Sequence, residues 1–372
     1  MSKKRVAIVY KYIHHYRIPI FKLLSKFSDI EYSIYAGTTS EIKIKKADIK
    51  LSKIIPSEGG IRWVPLKNLW FFKFILFQYE ILKPSFYSKF ETVIFLGNMY
   101  HISTWISAIV SRVLGKKVIF WTHGFIKEEK NLKGFIRKIF YMISNEILVY
   151  GSRAKNILIS KGFSESKIKL IYNSLNYDFQ SKLTPKKLKK SLFINRKLPI
   201  VGFIGRLTKQ KKIHQIIETL SIMDGENKFN LLIIGSGQQY SRLNKLVKRY
   251  NLESFVHFAG SVYDEQENCN LISSMDVLVS PGEVGLTGVH SMTYGTPVIT
   301  HNKFENQMPE YEIIKPGLTG DFFDYNDAIQ GMKEIIPKYY HQREKYSKNC
   351  KDIIKEKYNP KNQLQIFNNI VI

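Results

Sequence analysis

The sequence has few cysteines and no long apolar run. Its two cysteines, Cys269 and Cys350, cannot form a disulfide framework and lack the spacing of a metal site, which favours a reducing compartment. No apolar stretch approaches the length that spans a bilayer. Residues 1–10 pass from a basic tip directly into a strand-like segment, without the longer apolar core of a signal peptide. These features predict a cytoplasmic protein.

Acidic residues are scarce, and the scarcity is uneven along the chain. The 372 residues include 57 Lys and Arg against 31 Asp and Glu, a formal net charge of +26. Residues 1–180 carry 30 basic and 12 acidic residues, a net charge of +18, whereas residues 201–372 carry 20 and 19, a net charge of +1. The segment between them carries +7. A negatively charged partner is therefore expected to face the first half or the connecting segment.

Apolar patterns typical of strands alternate with patterns typical of helices along much of the remaining sequence. In the second half they predict strands at 200–205, 229–235, 255–259, 276–280 and 297–300, with helices between them at 212–223, 238–249, 265–274 and 286–295. This βαβα order predicts a parallel sheet with helices on both faces.

The chain is long enough for two such α/β domains. We predict a first domain at residues 1–180, a lysine-rich linker at 181–197 and a second domain at 198–355. Residues 356–372 are predicted to form a C-terminal helix that can cross back to the first domain.

The segment 281–298, PGEVGLTGVHSMTYGTPV, is the strongest candidate for a binding site. A glycine-punctuated loop leaves one predicted strand there and enters a predicted helix. The start of a helix presents unpaired backbone N–H groups and the positive end of the helix dipole. This segment therefore suits a phosphate group.

Two further candidate sites follow predicted strands of the first half, at the sheet edge where such folds bind ligands. The loop after the first strand contains His14, His15, Tyr16 and Arg17, whose side chains can hydrogen-bond hydroxyl groups. A solvated basic loop is the alternative interpretation. His123 precedes a glycine at the end of another strand, where a ligand can approach the backbone. A structural histidine is the alternative there.

Two segments allow either a packed helix or a surface that faces a membrane. Residues 66–82 are strongly aromatic, with two lysines among the rings, and fit either a core helix or an apolar face at a membrane. The later half of 127–144 is basic and amphipathic, and fits either a helix packed on the sheet or a second membrane-facing surface.

Several motifs occur in a fixed order along the second half. They are Gly205-Arg206-Leu207 with Lys211, the turn Gly235-Ser236-Gly237, the segment 281–298, and Pro309-Glu310 with Gly317 and Gly320. Together they resemble the nucleotide-sugar half of family 4 glycosyltransferases, over roughly residues 173–323. The resemblance implies a retaining hexosyltransferase with the GT-B fold, in which two Rossmann-like domains with parallel sheets face a central cleft.

The resemblance also implies roles for individual residues. It assigns Arg206 and Lys211 to the donor's diphosphate, where fixed cations stabilise the charge of the departing group. It implies that His123 contacts the donor sugar and that the loop from His14 to Arg17 binds the acceptor. The other donor-binding positions that it implies are Gly205, Gly237, Gly285, Leu286 and Thr287.

The sequence departs from the family at its pair of glutamates, which are separated by seven residues. An ungapped alignment places Gly282 at the first position and His290 at the second, with Glu283 one residue past the first. In the family, the first glutamate lies near the transferred sugar and the second accepts hydrogen bonds from the ribose. We expect Glu283 to reach the sugar as a catalytic group and His290 to bind the ribose, because both side chains accept hydrogen bonds.

The sequence lacks an Asp-x-Asp pair of the kind that holds a divalent ion beneath a diphosphate. This absence fits GT-B enzymes, so we expect no metal and no cofactor besides the nucleotide sugar. The expected donor is a UDP-sugar, with a GDP-sugar next. The expected acceptor is a lipid-linked saccharide in bacterial surface polysaccharide or glycan assembly. The basic first domain would then hold the enzyme at the anionic inner face of the cytoplasmic membrane.

Two other functions fit part of the pattern. A sugar-nucleotide epimerase or hydrolase of the same fold would turn over the donor without an acceptor. A nucleic-acid-binding protein would share the basic charge, but the sequence contains no recognised binding module, and we expect no nucleic-acid partner.

Overall fold

The chain forms two compact units in the computed structural model, which describes residues 3–40, 46–186 and 192–371. The first unit comprises Met1–Leu175 and Pro360–Ile372, and the second comprises Asn176–Asn359. The segment predicted as a linker, 181–197, falls within the range of the second unit, and residues 187–191 of it lie outside the described residues.

The first unit contains a parallel sheet and a small hairpin. Its strands are β1 (Lys4–Tyr12), β2 (Ile30–Gly37), β3 (Trp63–Leu66), β4 (Leu69–Phe71), β5 (Ile75–Phe77), β6 (Thr92–Leu96), β7 (Lys117–Thr122), β8 (Glu146–Val149) and β9 (Ile168–Leu170). Its helices are α1 (Ile18–Lys26), α2 (Leu82–Phe86), α3 (Ile102–Val113), α4 (Leu132–Met142), α5 (Ser152–Ser160) and α13 (Pro360–Val371). Within the described residues, seven strands form one sheet in the order β3-β2-β1-β6-β7-β8-β9, while β4 and β5 form a separate two-stranded sheet.

Two apolar cores cover the two faces of this sheet. Along β1, Val6, Ile8 and Tyr10 enter one core, and Ala7 and Val9 enter the other, as the two-residue period of a strand requires. Helices α1 and α13 pack on the first core, and α3, α4 and α5 pack on the second. Both faces of the strands are buried, which explains their nearly continuous apolar sequences.

The second unit repeats this plan. Its helices are α6 (Tyr177–Gln180), α7 (His214–Ser221), α8 (Tyr240–Arg249), α9 (Glu265–Ser273), α10 (Leu286–Thr293), α11 (Ala328–Ile335) and α12 (Arg343–Glu356). Its strands are β10 (Ile200–Ile204), β11 (Asn230–Ile234), β12 (Val256–Gly260), β13 (Val277–Ser280), β14 (Val298–His301) and β15 (Gly320–Phe323). Across the described residues they form a six-stranded sheet in the order β12-β11-β10-β13-β14-β15, with parallel pairs throughout.

This sheet order brings the predicted binding loops together. The centre of the sheet is β10, which pairs with β11 on one side and with β13 on the other. The loops that leave these three strands therefore share one edge of the sheet. The predicted α/β class with two Rossmann-like parallel sheets is confirmed.

Of the two interpretations of residues 66–82, the core helix is wrong. The segment instead contains the antiparallel hairpin of β4 and β5, in which Phe71 pairs with Ile75. Phe72 and Lys73 at its tip take positive φ values of 51° and 62°. Such values are uncommon for residues other than glycine, and a residue pattern rich in aromatic side chains does not predict them.

Candidate active site

The loop after β10 is held in place by two glycines of the loop after β11. Gly235 and Gly237 have φ values of 142° and 158°. A Cβ on Gly235 would lie 1.9 Å from the carbonyl oxygen of Gly205, and a Cβ on Gly237 would lie 2.5 Å from that of Leu207. The structure therefore has room only for glycine at these positions, and the close approach fixes the loop that carries Arg206.

Lys211 connects this loop to the loop after β13. Its Nζ donates a hydrogen bond of 2.7 Å to the carbonyl oxygen of Glu283 and lies 3.6 Å from the carboxylate oxygen Oε1 of the same residue. Burial lowers the pKa of the Lys211 ammonium, the charge of Glu283 opposes this shift, and Arg206 adds to it. Three predicted site residues, Arg206, Lys211 and Glu283, thus lie in one electrostatic group.

Gly282, which the resemblance aligns with a glutamate, lies too close to the backbone of a neighbouring loop to leave room for a side chain. A Cβ at this position would lie 2.1 Å from the carbonyl oxygen of Gln210 and 2.8 Å from the Cα of Lys211. Because both contacts are to backbone, a side chain at residue 282 would force the backbone of one of these loops to shift, at a cost in stability. The carboxylate in this loop is instead that of Glu283, which is partly exposed beside Lys211.

The start of α10 adjoins the same loops. Gly285 is the N-cap residue and offers no side chain to the amides of Leu286 and Thr287, which by helix geometry have no acceptor within the helix. The next amide, that of Gly288, donates to the carbonyl oxygen of Gly285. A Cβ on Gly205 would lie 3.9 Å from Oγ1 of Thr287, so the end of β10 meets the first turn of α10. The preceding amide, that of Val284, donates to Oε1 of Gln307, which fixes the approach to the helix. Free amides, Arg206 and Lys211 together can hold a diphosphate.

His290, at the position of the family's second glutamate, is bound to a carboxylate that sequence reasoning missed. Its Nε2 lies 2.7 Å from Oε1 of Glu265, the first residue of α9. The same oxygen accepts hydrogen bonds from the Tyr294 hydroxyl at 2.6 Å and from Nε2 of Gln180 at 2.8 Å. The Glu265 contact occupies Nε2, so Nδ1 is the ring nitrogen that His290 has left for a ligand.

Glu265 is a charged anchor for this cluster. Burial alone would raise the pKa of its carboxyl group, but the hydrogen bonds from His290, Tyr294 and Gln180 outweigh burial and hold the pKa at about 2. The carboxylate is therefore ionised at neutral pH and orients the imidazole. The sequence could have indicated Glu265 as a site residue, because it begins the helix that follows β12 and so lies at the same sheet edge.

In the first unit, the predicted loop residue Arg17 is buried in an aromatic cage. It is 2% exposed, and its Nη2 donates a hydrogen bond of 2.7 Å to the Tyr150 hydroxyl. Its guanidinium carbon lies 4.7 Å from the Trp121 ring centroid, a cation–π distance. The Tyr150 ring also lies 4.6 Å from the His123 ring. Tyr150, which sequence reasoning did not select, thus links the two predicted sites of this unit.

His123 is neutral in this environment. Burial, with the charges of Arg17 and Lys11, lowers the pKa of its imidazole to about 4. Among the described residues, its Nδ1 has no hydrogen-bond partner. Gly124, the next residue, has a φ of 63° and turns the chain away from the strand end. A neutral imidazole with a free nitrogen can bind a hydroxyl group.

The rest of the predicted acceptor loop has mixed exposure. His14 is buried, and burial together with Lys11 and Arg17 lowers the pKa of its imidazole to about 3. Its ring lies 5.0 Å from that of Tyr16, which is half-buried, whereas His15 is exposed. The structure therefore brings His14, Tyr16 and Arg17 together and leaves His15 at the surface.

Neither a metal-binding cluster nor a membrane-spanning helix occurs in the part of the chain that the structure describes. Over residues 3–40, 46–186 and 192–371, the His, Cys, Asp and Glu side chains form no group of three that could hold a metal ion. Metal-independent activity stays a prediction. In the same ranges, every helix is too short or too polar to cross a bilayer. Cys269 and Cys350 are both buried and unpaired with each other.

Solved glycosyltransferase structures share this fold over almost the entire chain. A lipopolysaccharide outer core galactosyltransferase, WaaB, superposes with a TM-score of 0.71 at 15% identity, covering 98% of this chain and 99% of that one. Anabaena Alr3699/HepE in complex with UDP superposes with a TM-score of 0.72 at 14% identity, covering 99% of each chain. At such identities the likeness concerns the fold alone, and that fold is GT-B.

Sequence comparison identifies the second unit more closely. Residues 185–359 match the family model described as Glycosyl transferases group 1, so this unit carries a domain of that group. A protein of the cps region of Klebsiella pneumoniae is 25% identical over 297 residues, which cover 75% of this chain and 77% of that one. A glycosyltransferase of Methanocaldococcus jannaschii is 23% identical over 366 residues, covering 92% and 90%.

Proposed function

We propose that the protein is a retaining hexosyltransferase that moves a sugar from a nucleotide-diphosphate sugar to a hydroxyl group of a saccharide. The observation that carries the proposal is the meeting of Arg206, Lys211 and the first turn of α10 at one sheet edge. Cations and free amides at one point stabilise a diphosphate, and most strongly when it departs with its full charge.

The proposed donor is a UDP-sugar, with a GDP-sugar as the next choice. Several solved structures of the same fold contain UDP, among them Alr3699/HepE and the pneumococcal O-GlcNAc transferase GtfA. In this chain, Nδ1 of His290 is the atom proposed to bind a ribose hydroxyl, while Glu265 holds the ring in place. Glu283 is proposed to reach the transferred sugar from its position beside Lys211.

We assign the acceptor to the loop of His14, His15, Tyr16 and Arg17, and contact with the donor sugar to His123. A neutral His123 suits that contact, because its unpaired Nδ1 can exchange a hydrogen bond with a sugar hydroxyl without adding charge. In the proposed step, the bond from the anomeric carbon to the diphosphate breaks, and the acceptor oxygen bonds to the same face of that carbon. The departing diphosphate takes the acceptor's hydroxyl proton, so charge and atoms balance.

The proposed setting is the assembly of a bacterial surface polysaccharide or glycan on a lipid-linked acceptor, at the inner face of the cytoplasmic membrane. Two observations support it. Residues 1–180 carry a net charge of +18, which attracts an anionic leaflet. A similar solved structure is that of a lipopolysaccharide outer core galactosyltransferase.

The test is a transfer assay with a panel of UDP- and GDP-sugars in excess EDTA. We expect release of nucleoside diphosphate that requires an acceptor, and an α-linked or β-linked product that keeps the donor's anomeric configuration by NMR. Arg206→Ala should lower kcat/KM by about 100-fold or more, because one group facing developing charge is worth that much. Arg242→Ala, an exposed arginine of α8, is the matched control and should leave turnover unchanged.

Three results would contradict the proposal. Donor turnover that needs no acceptor would indicate the epimerase or hydrolase instead. A product of inverted configuration would overturn the stereochemistry, and complete loss of activity in EDTA would overturn metal independence.

A further inference from the structure

Helix α3 turns most of its large aliphatic side chains away from the core. The side chains that it buries are small and mostly polar: Ser103, Thr104, Ser107, Ala108 and Ser111. Its exposed side chains recur three or four residues apart and are large and apolar: Ile102, Ile106, Ile109 and Val113. A helix on the surface of a soluble domain normally has the opposite arrangement. The sequence of α3 is therefore adapted to an apolar environment on its outer side.

Helix α4 buries Phe140 and Tyr141 in the core, but it also exposes large apolar side chains. Its exposed residues also share one stripe of the helix: Leu132, Phe135, Ile136, Ile139 and Met142. Leu132 is 73% exposed and Phe135 is 61% exposed. Because β6, β7 and β8 are consecutive neighbours in the sheet, right-handed connections place α3 and α4 side by side on one face. Trp105 of α3 confirms this, with its ring 4.8 Å from that of Phe140 in α4.

The β4–β5 hairpin extends this surface. Phe72 at its tip is 82% exposed, and its neighbours Phe71 and Phe74 are exposed as well. The Phe74 ring packs 5.6 Å from that of Tyr100, two residues before α3. Helix α2 adds the exposed Phe86 and contacts α3 through the Ser85 hydroxyl, which donates to the carbonyl oxygen of Ser107.

We name the exposed apolar side chains of α2, α3, α4 and the hairpin the outer apolar face. Contiguous apolar surface of this kind marks a site of interaction, whereas scattered exposed apolar residues do not. The second unit provides the contrast, because its exposed large apolar residues come one at a time from separate parts of the chain: Phe179, Ile194, Ile222, Tyr240, Tyr250, Tyr263 and Leu318.

The charge around the outer apolar face is positive. Residues 69–142 contain 11 Lys and Arg against 4 Asp and Glu. Exposed cations include Lys73 at the hairpin tip and Lys130 and Lys133 at the start of α4. Glu129 is paired with Arg137 at 2.9 Å and also lies 3.8 Å from Nζ of Lys133, and Glu128 lies 3.8 Å from Nζ of Lys130. The apolar side chains are thus bordered by an excess of cations, and exposed ion pairs as long as those of Lys130 and Lys133 are weak enough to exchange for a negatively charged partner.

We infer that the outer apolar face docks on an anionic lipid bilayer, with Phe72 and the stripes of α3 and α4 entering the acyl boundary and the lysines contacting headgroups. The inference rests on the proposed function for its biological setting, since a lipid-linked acceptor lies at such a surface. Apolar side chains bordered by basic ones are the pattern of interfacial membrane binding. A second copy of the chain fits less well, because pairing two such faces would bring together two strongly positive surfaces.

The test is sedimentation of the full chain with vesicles of phosphatidylcholine containing about one third phosphatidylglycerol, without donor or acceptor. The variant is Phe72→Ser/Ile109→Ser/Phe135→Ser. We expect its partition onto these vesicles to fall by about tenfold or more, because binding scales with the apolar area inserted. The matched control is Ile194→Ser/Tyr263→Ser/Leu318→Ser, three exposed apolar residues of the second unit, and should bind as the unchanged protein does.

Two further measurements complete the test. Removing the charge with Lys73→Gln/Lys130→Gln/Lys133→Gln should weaken binding and reduce its dependence on salt. Thermal unfolding should show that all three variants remain folded, since each changed side chain is exposed.

Equal vesicle binding by the apolar variant and the unchanged protein overturns the inference. So does a dimer of the unchanged protein, by light scattering, that becomes monomeric in the apolar variant while vesicle binding is retained. The transfer assay tests the proposed function separately. Vesicle binding without turnover would contradict the proposed function but not the docking surface. Turnover without vesicle binding would contradict the docking surface but not the proposed function.

Discussion

The Glu265 cluster gives the most quantitative prediction. Glu265 holds three hydrogen bonds of 2.6 to 2.8 Å on one oxygen, from His290, Tyr294 and Gln180. The gap between the pKa of about 2 and the ordinary value of 4.5 corresponds to about 3 kcal/mol of stability that depends on the charge. We expect Glu265→Gln to lower the free energy of unfolding of the second unit by about 2–3 kcal/mol at pH 7.

The sign of the pH dependence distinguishes charge from packing. Because the folded-state pKa of Glu265 lies below its ordinary value, the stabilisation is present above about pH 4.5 and is lost as the pH falls toward 2. The difference between the unchanged protein and Glu265→Gln should therefore shrink to less than half at pH 3. Urea denaturation at pH 7 and at pH 3, monitored by far-UV circular dichroism, measures both free energies of unfolding.

The matched control is Glu267→Gln, an exposed carboxylate in the first turn of the same helix. It makes the same change of charge near the same helix dipole and should cost no more than about 0.5 kcal/mol. As a positioning residue, Glu265 should also affect donor binding: freeing His290 should raise KM for the donor, and Glu267→Gln should not. An equal loss of stability at both pH values, or an equal loss in the control, would refute the reasoning.

Two other predictions concern packing and acid stability. Gly282→Ala should destabilise the second unit by about 1–3 kcal/mol in chemical denaturation, since its Cβ would meet the backbone of Gln210 and Lys211. Gly285→Ala is the control and should cost less than about 1 kcal/mol, because its Cβ would meet only the Met308 side chain, at 3.8 Å. Equal costs would contradict this. Burial and the charge of Lys11 lower the pKa of the His101 imidazole to about 3. The unfolded chain therefore takes up a proton at His101 before the folded protein does, and stability is lost as the pH falls from about 6.5 toward 3. The free energy of unfolding should fall between pH 7 and pH 5 in both proteins, and the fall should be about 2 kcal/mol smaller in His101→Gln than in the unchanged protein. An equal fall would show that His101 does not contribute to the acid sensitivity.

The second unit illustrates what the sequence predicts well. Its strands are short apolar runs, two of them followed directly by Gly205 and Gly235, and its helices have a clear amphipathic period, so local patterns sufficed. The strand predicted at 276–280 is Val277–Ser280, and the helix predicted at 286–295 is Leu286–Thr293. The meeting of Lys211 with Glu283 could be anticipated because both follow strands that are neighbours in the sheet.

Contacts between distant residues account for what was missed. Glu265 and His290 lie on different helices, and no local pattern pairs a particular carboxylate with a particular imidazole. The hairpin at Phe72 depends on positive φ values at residues that usually avoid them. The outer stripe of α3 had the period of a helix, but the period alone does not tell which stripe faces the core.

The central claim is that Arg206, Lys211 and the first amides of α10 bind the diphosphate of a nucleotide sugar. A crystal structure of the protein soaked with UDP tests it most directly. We expect the diphosphate within hydrogen-bonding distance of both side chains and of the amides of Leu286 and Thr287. UDP bound elsewhere, or a site that stays empty at millimolar UDP while the protein is folded, would contradict the claim.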